Sequence, residues 1–143
     1  MNFLEDTYRL INKYNQKAKT AKQYGTEDLL YSAEVHVIEM IGSHEAITTT
    51  KLAEKLGITK GAISQITRKL LEKDLISKTP SVERSNKVLI SLTDKGKIVY
   101  SYHQNMHEKM LKRIDSVLSD LSDEGRMVLD EIIRIIDDSL NDI

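Results

Sequence analysis

The stretch LAEKLGITKGAIS, residues 52–64, decides the fold of this chain. Ala53 is small where two helices have to approach each other closely. Gly57 stands where the chain must leave the first helix in a left-handed conformation, which glycine adopts without steric cost. We expect Ile58 and Ile63 to fill the corner between the two helices. This spacing predicts a helix-turn-helix.

The second helix of this motif, from its N-cap Thr59 to about Lys73, has two unlike faces. At about 100° per residue, a polar face of Gly61, Ser64, Gln65 and Arg68 lies opposite an apolar face of Ile63, Ile66, Leu70 and Leu71. Small residues allow the helix to enter a major groove, Gln65 suits the edge of adenine, and Arg68 suits guanine or a phosphate. The alternative is an ordinary solvent-exposed helix face.

The flanking segments supply further candidate DNA contacts. Threonines at the starts of the two helices offer hydroxyls and helix-start amides to backbone phosphates. Residues 75–79 and 87–92 are short, β-branched and partly alternating, and the turn-forming residues 80–86 separate them, which predicts a β-hairpin. An arginine at such a tip can enter the minor groove. The predicted DNA-binding residues are Thr48, Thr49, Thr59, Lys60, Gly61, Ser64, Gln65, Arg68, Arg84, Ser85, Asn86 and Lys87.

The rest of the chain is predicted to be helical, for six helices in all and a mainly α fold. A first helix ends before Gly25, a second is capped by Ser32 and closed by Gly42, a long fifth begins after Thr93, and Ser122 caps the last. Isoleucines 132, 133, 135 and 136 cover most of the last helix, which therefore needs neighbours on two sides. A homodimer is the simplest burial, and a monomer with an all-helical cap is the alternative. We expect one winged-helix subunit over 1–143, with dimerisation helices at about 1–24 and 94–143 and a DNA-binding lobe at about 32–93.

The charges of the chain nearly cancel, with 21 Lys and Arg against 22 Asp and Glu, but they are segregated. Residues 51–97 carry a net +6 and residues 115–143 a net -7. A basic middle of this size is typical of a polyanion-binding face, although surface charges also segregate without function. The chain has no cysteine, no apolar run of membrane-spanning length and no visible secretory signal, so we expect a cytoplasmic protein without membrane contact.

In the order of its elements and in its residues, the chain resembles the multiple-antibiotic-resistance regulator (MarR) family of bacterial winged-helix transcription factors. The most specific segments are AEVHVI (33–38), LAEKL (52–56), ITRKLLEKDLI (66–76) and LTDKG (92–96). The resemblance implies an obligate homodimer, formed by the first and last helices, on a pseudo-palindromic operator. Two recognition helices then enter successive major grooves about 34 Å apart. The family's wing often carries the sequence Asp-x-Arg. The nearest match here is Val82-Glu83-Arg84, in which the Asp is missing.

Two interpretations of the histidines stay open. His103 and His107, at i and i+4, share one helix face and suit a single metal ion. The chain is similar to the family's zinc-responsive branch, which implies a zinc site on His36, His103 and His107, with Glu27 or Asp28 as a further ligand, in a repressor of metal uptake. It is at least as similar to the fatty-acid-synthesis repressors, whose effectors are acyl chains on acyl carrier protein. In that case the histidines are interface or pocket residues.

Other classes of protein fit less well. The sequence contains none of the common catalytic signatures: no cysteine, no Gly-x-Ser-x-Gly, no phosphate-binding glycine loop and no HExxH. We therefore predict that the protein is not an enzyme. A winged helix that binds protein is a remote alternative, and the polar hairpin tip argues against it. The sequence therefore predicts a homodimeric repressor of double-stranded-DNA operators. Its effector, a small molecule, an acyl chain or a metal, enters the crevice between the dimerisation helices and the DNA-binding lobe and shifts the population of binding-competent dimers.

Overall fold

The computed structural model describes residues 2–82 and 87–141, which are mainly helical. The elements in chain order are α1 (Phe3–Ala18), β1 (Lys22–Gln23), β2 (Leu29–Leu30), α2 (Ser32–Gly42), α3 (Thr49–Leu56), α4 (Lys60–Glu72), β3 (Ile76–Pro80), β4 (Val88–Leu92), α5 (Asp94–Ser119) and α6 (Asp123–Asn141). Both strand pairs are antiparallel, and the β3–β4 pair is the predicted hairpin, with Ile76 opposite Leu92. The predicted fold class, six helices with a small β-hairpin, is confirmed for the described residues.

The chain forms two compact units whose boundary lies inside α5. The first unit ends at Asn105 and includes α1, the helix-turn-helix and the β3–β4 hairpin. The second unit begins at Met106 and consists of the remainder of α5 followed by α6. The predicted division into dimerisation helices and a DNA-binding lobe is a statement about function, and it stays a prediction.

The core of the first unit lies between α2, α3, α4 and the β3–β4 hairpin. Its largest fully buried side chains are aliphatic and include Leu30, Ile38, Ile41, Leu52, Ile63, Leu70, Leu75 and Ile90. The start of α5 packs so closely against the turn after α4 that a Cβ on Gly96 would collide with the carbonyl oxygen of Leu75. An additional bridge between Ile47 and Ile90 joins the hairpin to the segment before α3. The helix-turn-helix is thus held on a continuous apolar base.

Some local expectations were wrong. Ser32 is the first residue of α2, and Tyr31 occupies its N-cap position, where the backbone amide of Tyr31 donates to Glu34 Oε2 at 2.8 Å. Ile58, in the turn that follows Gly57, does not fill the corner of the motif but is 39% exposed. Leu71, expected on the buried side of α4, is 44% exposed. Thr67, one helical turn before Leu71, is buried instead.

The apolar faces of the first and last helices are exposed within one chain. No residue of α1 is buried, and Phe3, Leu4, Tyr8, Leu10 and Tyr14 are each more than half exposed. In the second unit the same holds for Met106, Met110, Val117, Met127, Val128, Ile133 and Ile135. None of the helices that the structure describes is long and apolar enough to cross a membrane.

Candidate nucleic-acid interface

The turn between α3 and α4 has the geometry that the sequence predicts. Gly57 ends α3 in the left-handed region with φ 65° and ψ 31°, and its amide donates to the carbonyl of Ala53. Thr59 is the N-cap of α4, where its Oγ1 accepts the amide of Ala62 at 3.1 Å. These two residues stop one helix and start the next within three positions, and so set the polar face of α4 relative to α3.

The polar face of α4 is open to solvent. Gly61, Ser64, Gln65 and Arg68 are all exposed, whereas Ile63, Thr67 and Leu70 are buried on the opposite side. The hydroxyl of Thr67 donates to the carbonyl of Ser64 at 3.3 Å, which satisfies the one polar group on the buried side. Within residues 2–82 and 87–141, a Cβ on Gly61 would meet only Thr59 Oγ1, at 3.9 Å, so these residues leave room there. The face is shaped to approach a flat or grooved partner closely.

The threonines at the starts of α3 and α4 use their hydroxyl oxygens to cap their own helices. Thr48 Oγ1 accepts the amide of Lys51 at 3.2 Å, and Thr59 Oγ1 likewise accepts the amide of Ala62. Each cap therefore uses one helix-start amide itself, and the hydroxyl hydrogen remains available to donate to a phosphate oxygen. Thr49 is half-buried and Lys60 is exposed.

A groove of about 450 Å³ runs between the start of α3 and the start of β4. Three threonines, Thr48 to Thr50, line it together with Lys51, Glu54 and the exposed Lys87. Lys51 also pairs with Glu54 at 3.1 Å, an exposed pair of the kind that stabilises little. Hydroxyls and two ammonium groups around an open groove suit an anionic backbone. Arg84, Ser85 and Asn86, the predicted tip of the wing, lie outside the described residues.

A cluster of aromatic and imidazole rings lies elsewhere in the first unit. His36 stacks on Tyr14 with ring centroids 6.3 Å apart, and its Nδ1 is 3.4 Å from the Tyr14 hydroxyl. The rings of His36 and His103 are 6.0 Å apart, and His103 Nδ1 lies 3.5 Å from Glu39 Oε2. Burial, and after it the neighbouring Tyr102, raises the pKa of Tyr24, whose ring also contacts His103.

The predicted metal ligands stay a prediction. Across residues 2–82 and 87–141, no three His, Cys, Asp or Glu side chains are grouped closely enough to hold a metal ion. Glu27 and Asp28, the expected further ligands, instead pair with Lys95 Nζ at 3.3 and 2.8 Å. A hydrogen bond from its own backbone, and then Lys95, lowers the pKa of Glu27, while the bond to Asp28 raises the pKa of Lys95. His107 belongs to the second unit, and its predicted role as a ligand stays a prediction.

Sequence reasoning missed the ion pairs around the end of α4. Glu34 is 3% exposed and pairs with Lys73 at 2.8 Å, although 39 residues separate them. The only available signal was a glutamate three residues after Tyr31, which is the spacing of a capping box. That signal locates the start of α2 but says nothing of Lys73.

Comparison with known proteins places these features in a family. A family model described as MarR family matches residues 30–83, which span α2 to the start of the wing. YhjH of Bacillus subtilis, an HTH-type transcriptional regulator, is 30% identical over 112 residues, which cover 78% of this chain and 64% of YhjH. ZitR of Lactococcus lactis is 30% identical over 107 residues, which cover 75% of this chain and 73% of ZitR. The chain spans a little under two thirds of the length of the first curated relatives.

Solved structures show the same fold over nearly the whole chain. The adhesin competence repressor (AdcR) of Streptococcus pyogenes has a TM-score of 0.73 at 21% identity, covering 98% of both chains. ZitR in complex with DNA has a TM-score of 0.65 at 23% identity, covering 98% of this chain and 99% of ZitR. ZitR has itself been described as a zinc-responsive MarR family member. The sequence and fold together show that this chain belongs to the MarR family of winged helix-turn-helix transcriptional regulators.

Proposed function

We propose that this protein is a sequence-specific, double-stranded-DNA-binding transcriptional regulator that works as a ligand-responsive repressor. The observation that carries the proposal is the exposed polar face of α4, backed by a buried apolar face and preceded by a tight left-handed turn. A relative with the same fold has been solved in complex with DNA, which supports the choice of partner. The relatives reported above are named as regulators, in agreement with the expectation of a protein that is not an enzyme.

In the proposed complex, α4 lies in a major groove. Gly61 and Ser64 allow close approach, Gln65 pairs with an adenine edge, and Arg68 contacts a guanine or a phosphate. Thr48, Thr49, Thr59, Lys60 and Lys87 bind backbone phosphates and fix the register of the helix. The segment Arg84, Ser85 and Asn86 enters the neighbouring minor groove. Because the proposed partner is a DNA operator, we expect the protein to act in the cytoplasm.

Binding to a pseudo-palindromic operator requires two copies of the chain. A C2 homodimer presents two α4 helices about 34 Å apart, which matches one turn of B-DNA and a pseudo-palindromic site. The exposed apolar residues of α1 support this part of the proposal, as do, separately, those of the second unit. A solution mass matching one chain at micromolar concentration would contradict it.

The decisive experiment is selection of bound fragments from a random pool of duplex DNA, repeated with long-chain acyl ligands and with zinc. We expect enrichment of a two-fold symmetric sequence and weaker binding in the presence of the true effector. Arg68→Ala is expected to lower affinity for the selected duplex by about 1–3 kcal/mol. Arg68→Lys is the matched control, because it keeps the charge but loses the bidentate fork. Unchanged binding in both variants would reject the role of Arg68.

A zinc-responsive function is the second candidate, favoured by the closeness of the His36 and His103 rings and by the zinc-responsive relative. Equilibrium dialysis of the wild type with zinc tests it, alongside His107→Ala and His103→Ala. Specific binding in the wild type that each substitution weakens would support it. No binding in the wild type would reject it and leave the acyl and other small-molecule effectors.

A further inference from the structure

We propose that Lys73 and Lys95 form an ionic clamp that fixes the C-terminal end of α4 and so sets the angle at which its polar face meets DNA. The proposal rests on the proposed function of α4. The clamp is defined as Lys73 and Lys95 with their less exposed partners Glu34, Asp28 and the carbonyl of Leu29. Glu27, which also pairs with Lys95, is largely exposed and is left out of it. All of these residues belong to the first compact unit.

Lys73 ties the end of α4 to two other elements. Its Nζ donates to Glu34 Oε1 at 2.8 Å and to the carbonyl of Leu29 in β2 at 3.0 Å. Glu34 uses its other oxygen to accept the amide of Tyr31, so both carboxylate oxygens are bound. A carboxylate that is 3% exposed needs these partners, because an unpaired buried charge is strongly unfavourable.

Lys95 closes the clamp from the start of α5. Its Nζ pairs with Asp28 at 2.8 Å and donates to the carbonyl of Lys73 at 3.2 Å. The carbonyls at a helix C-terminus carry partial negative charge, so a lysine there is well placed. The β1–β2 ribbon is therefore connected to the end of α4 twice, once through each lysine.

The backbone after α4 is held as firmly as the side chains. Asp74 lies in the left-handed region with φ 57°, and its carbonyl accepts the Thr93 hydroxyl at 2.6 Å. The next carbonyl, that of Leu75, accepts the amide of Thr93 at 3.2 Å. The direction of α4 is thus fixed at its C-terminal end by α2, the ribbon and α5, at a distance from the exposed face that meets DNA.

Variants that replace an acid with its amide distinguish the effect of the clamp on DNA binding from the effect of net charge. Glu34→Gln and Asp28→Asn each make the protein more positive by one charge, which by itself favours every duplex. The clamp instead predicts weaker binding to the duplex selected by the wild type, by about fivefold to tenfold. Affinity for a scrambled duplex of equal length is expected to stay the same or rise. Glu72→Gln is the matched control, since it adds the same charge at an exposed position of α4 outside the clamp.

Amide hydrogen exchange in the DNA-free protein gives a second measurement that does not depend on the proposed function. The amides of Lys73, Asp74 and Leu75, which bond back into the last turn of α4, are expected to exchange faster in Glu34→Gln and Asp28→Asn than in Glu72→Gln. Thermal unfolding establishes that each variant is folded. If both clamp variants match Glu72→Gln in binding and exchange, the proposal is overturned. If the wild type selects no sequence but the exchange difference is found, the clamp stands and the proposed function fails.

Discussion

Two glycines of the helix-turn-helix allow a paired test of its backbone geometry. Gly57 and Gly61 are four residues apart and both are exposed. Among the described residues, a Cβ on Gly57 would meet no atom within 4 Å, and one on Gly61 would meet only Thr59 Oγ1 at 3.9 Å. Steric clash with neighbours is thus absent at both positions, and alanine at each site reports on backbone conformation alone.

The two substitutions are expected to change the free energy of unfolding in opposite directions. Gly57 has φ 65°, and a left-handed conformation costs a non-glycine residue about 1–2 kcal/mol. Gly61 is inside the first turn of α4, where replacing glycine with alanine stabilises a helix by about 0.5–1 kcal/mol. The variants Gly57→Ala and Gly61→Ala are therefore expected to differ in stability by about 2 kcal/mol.

Urea denaturation followed by circular dichroism measures this difference. All samples need one protein concentration, because the stability of the proposed dimer depends on it. We expect a lower midpoint than the wild type for Gly57→Ala and an equal or higher one for Gly61→Ala, with the same slope. Equal midpoints in the two variants would refute the left-handed turn, and a loss of stability in Gly61→Ala would refute the open space above α4.

Two further predictions concern the interface and the response to pH. Gly61→Leu is expected to unfold no more easily than the wild type, yet to lose at least about tenfold in affinity for the selected duplex, because the added bulk keeps α4 out of the groove; unimpaired binding in a gel-shift titration would contradict groove entry at this residue. The lowered pKa of Glu27 means that its stabilising contribution is present above its unfolded value of 4.5 and is lost as the pH falls through the folded value. Glu27→Gln is therefore expected to flatten the dependence of the urea midpoint on pH below 4.5, and an unchanged pH profile would contradict a stabilising role for the backbone hydrogen bond of Glu27 and for its exposed pair with Lys95.

The helix-turn-helix could be predicted because its signals are local. Gly57, Thr59 and the spacing of Ile63 and Leu70 each act within one or two helical turns, and all four behave as expected. Leu71 shows where periodicity is too coarse. It is the next residue along the apolar side of α4, but the side chain buried against the core is that of Thr67, whose hydroxyl the helix itself satisfies.

The features that sequence could not predict are the ones that connect distant segments. The β1–β2 ribbon has only two residues in each strand, too few for an alternating pattern to be visible. Lys73 and Lys95 contact it through Leu29 and Asp28, and in the sequence both lysines look like surface charge within the basic region. Opposite charges 39 residues apart give no sign of their pairing until the helices between them are packed. The wing was predictable as a hairpin, and its tip lies outside the described residues.

The exposed apolar helices connect the stability of the chain to the proposed DNA recognition. An isolated helix is marginal in water, and most helical stability in proteins comes from packing of an amphipathic face. No residue of α1 is buried in the first unit, and none of the described α6 side chains is buried in the second, so each unit leaves an apolar helix face for the proposed dimer contact. In the proposed dimer each face is covered by the second copy, and the same contact spaces the two α4 helices. Dissociation would then remove helix packing and operator geometry together. Operator affinity and helical content are for this reason expected to fall over the same range of protein concentration, whereas a monomer that packed these helices on itself would lose neither.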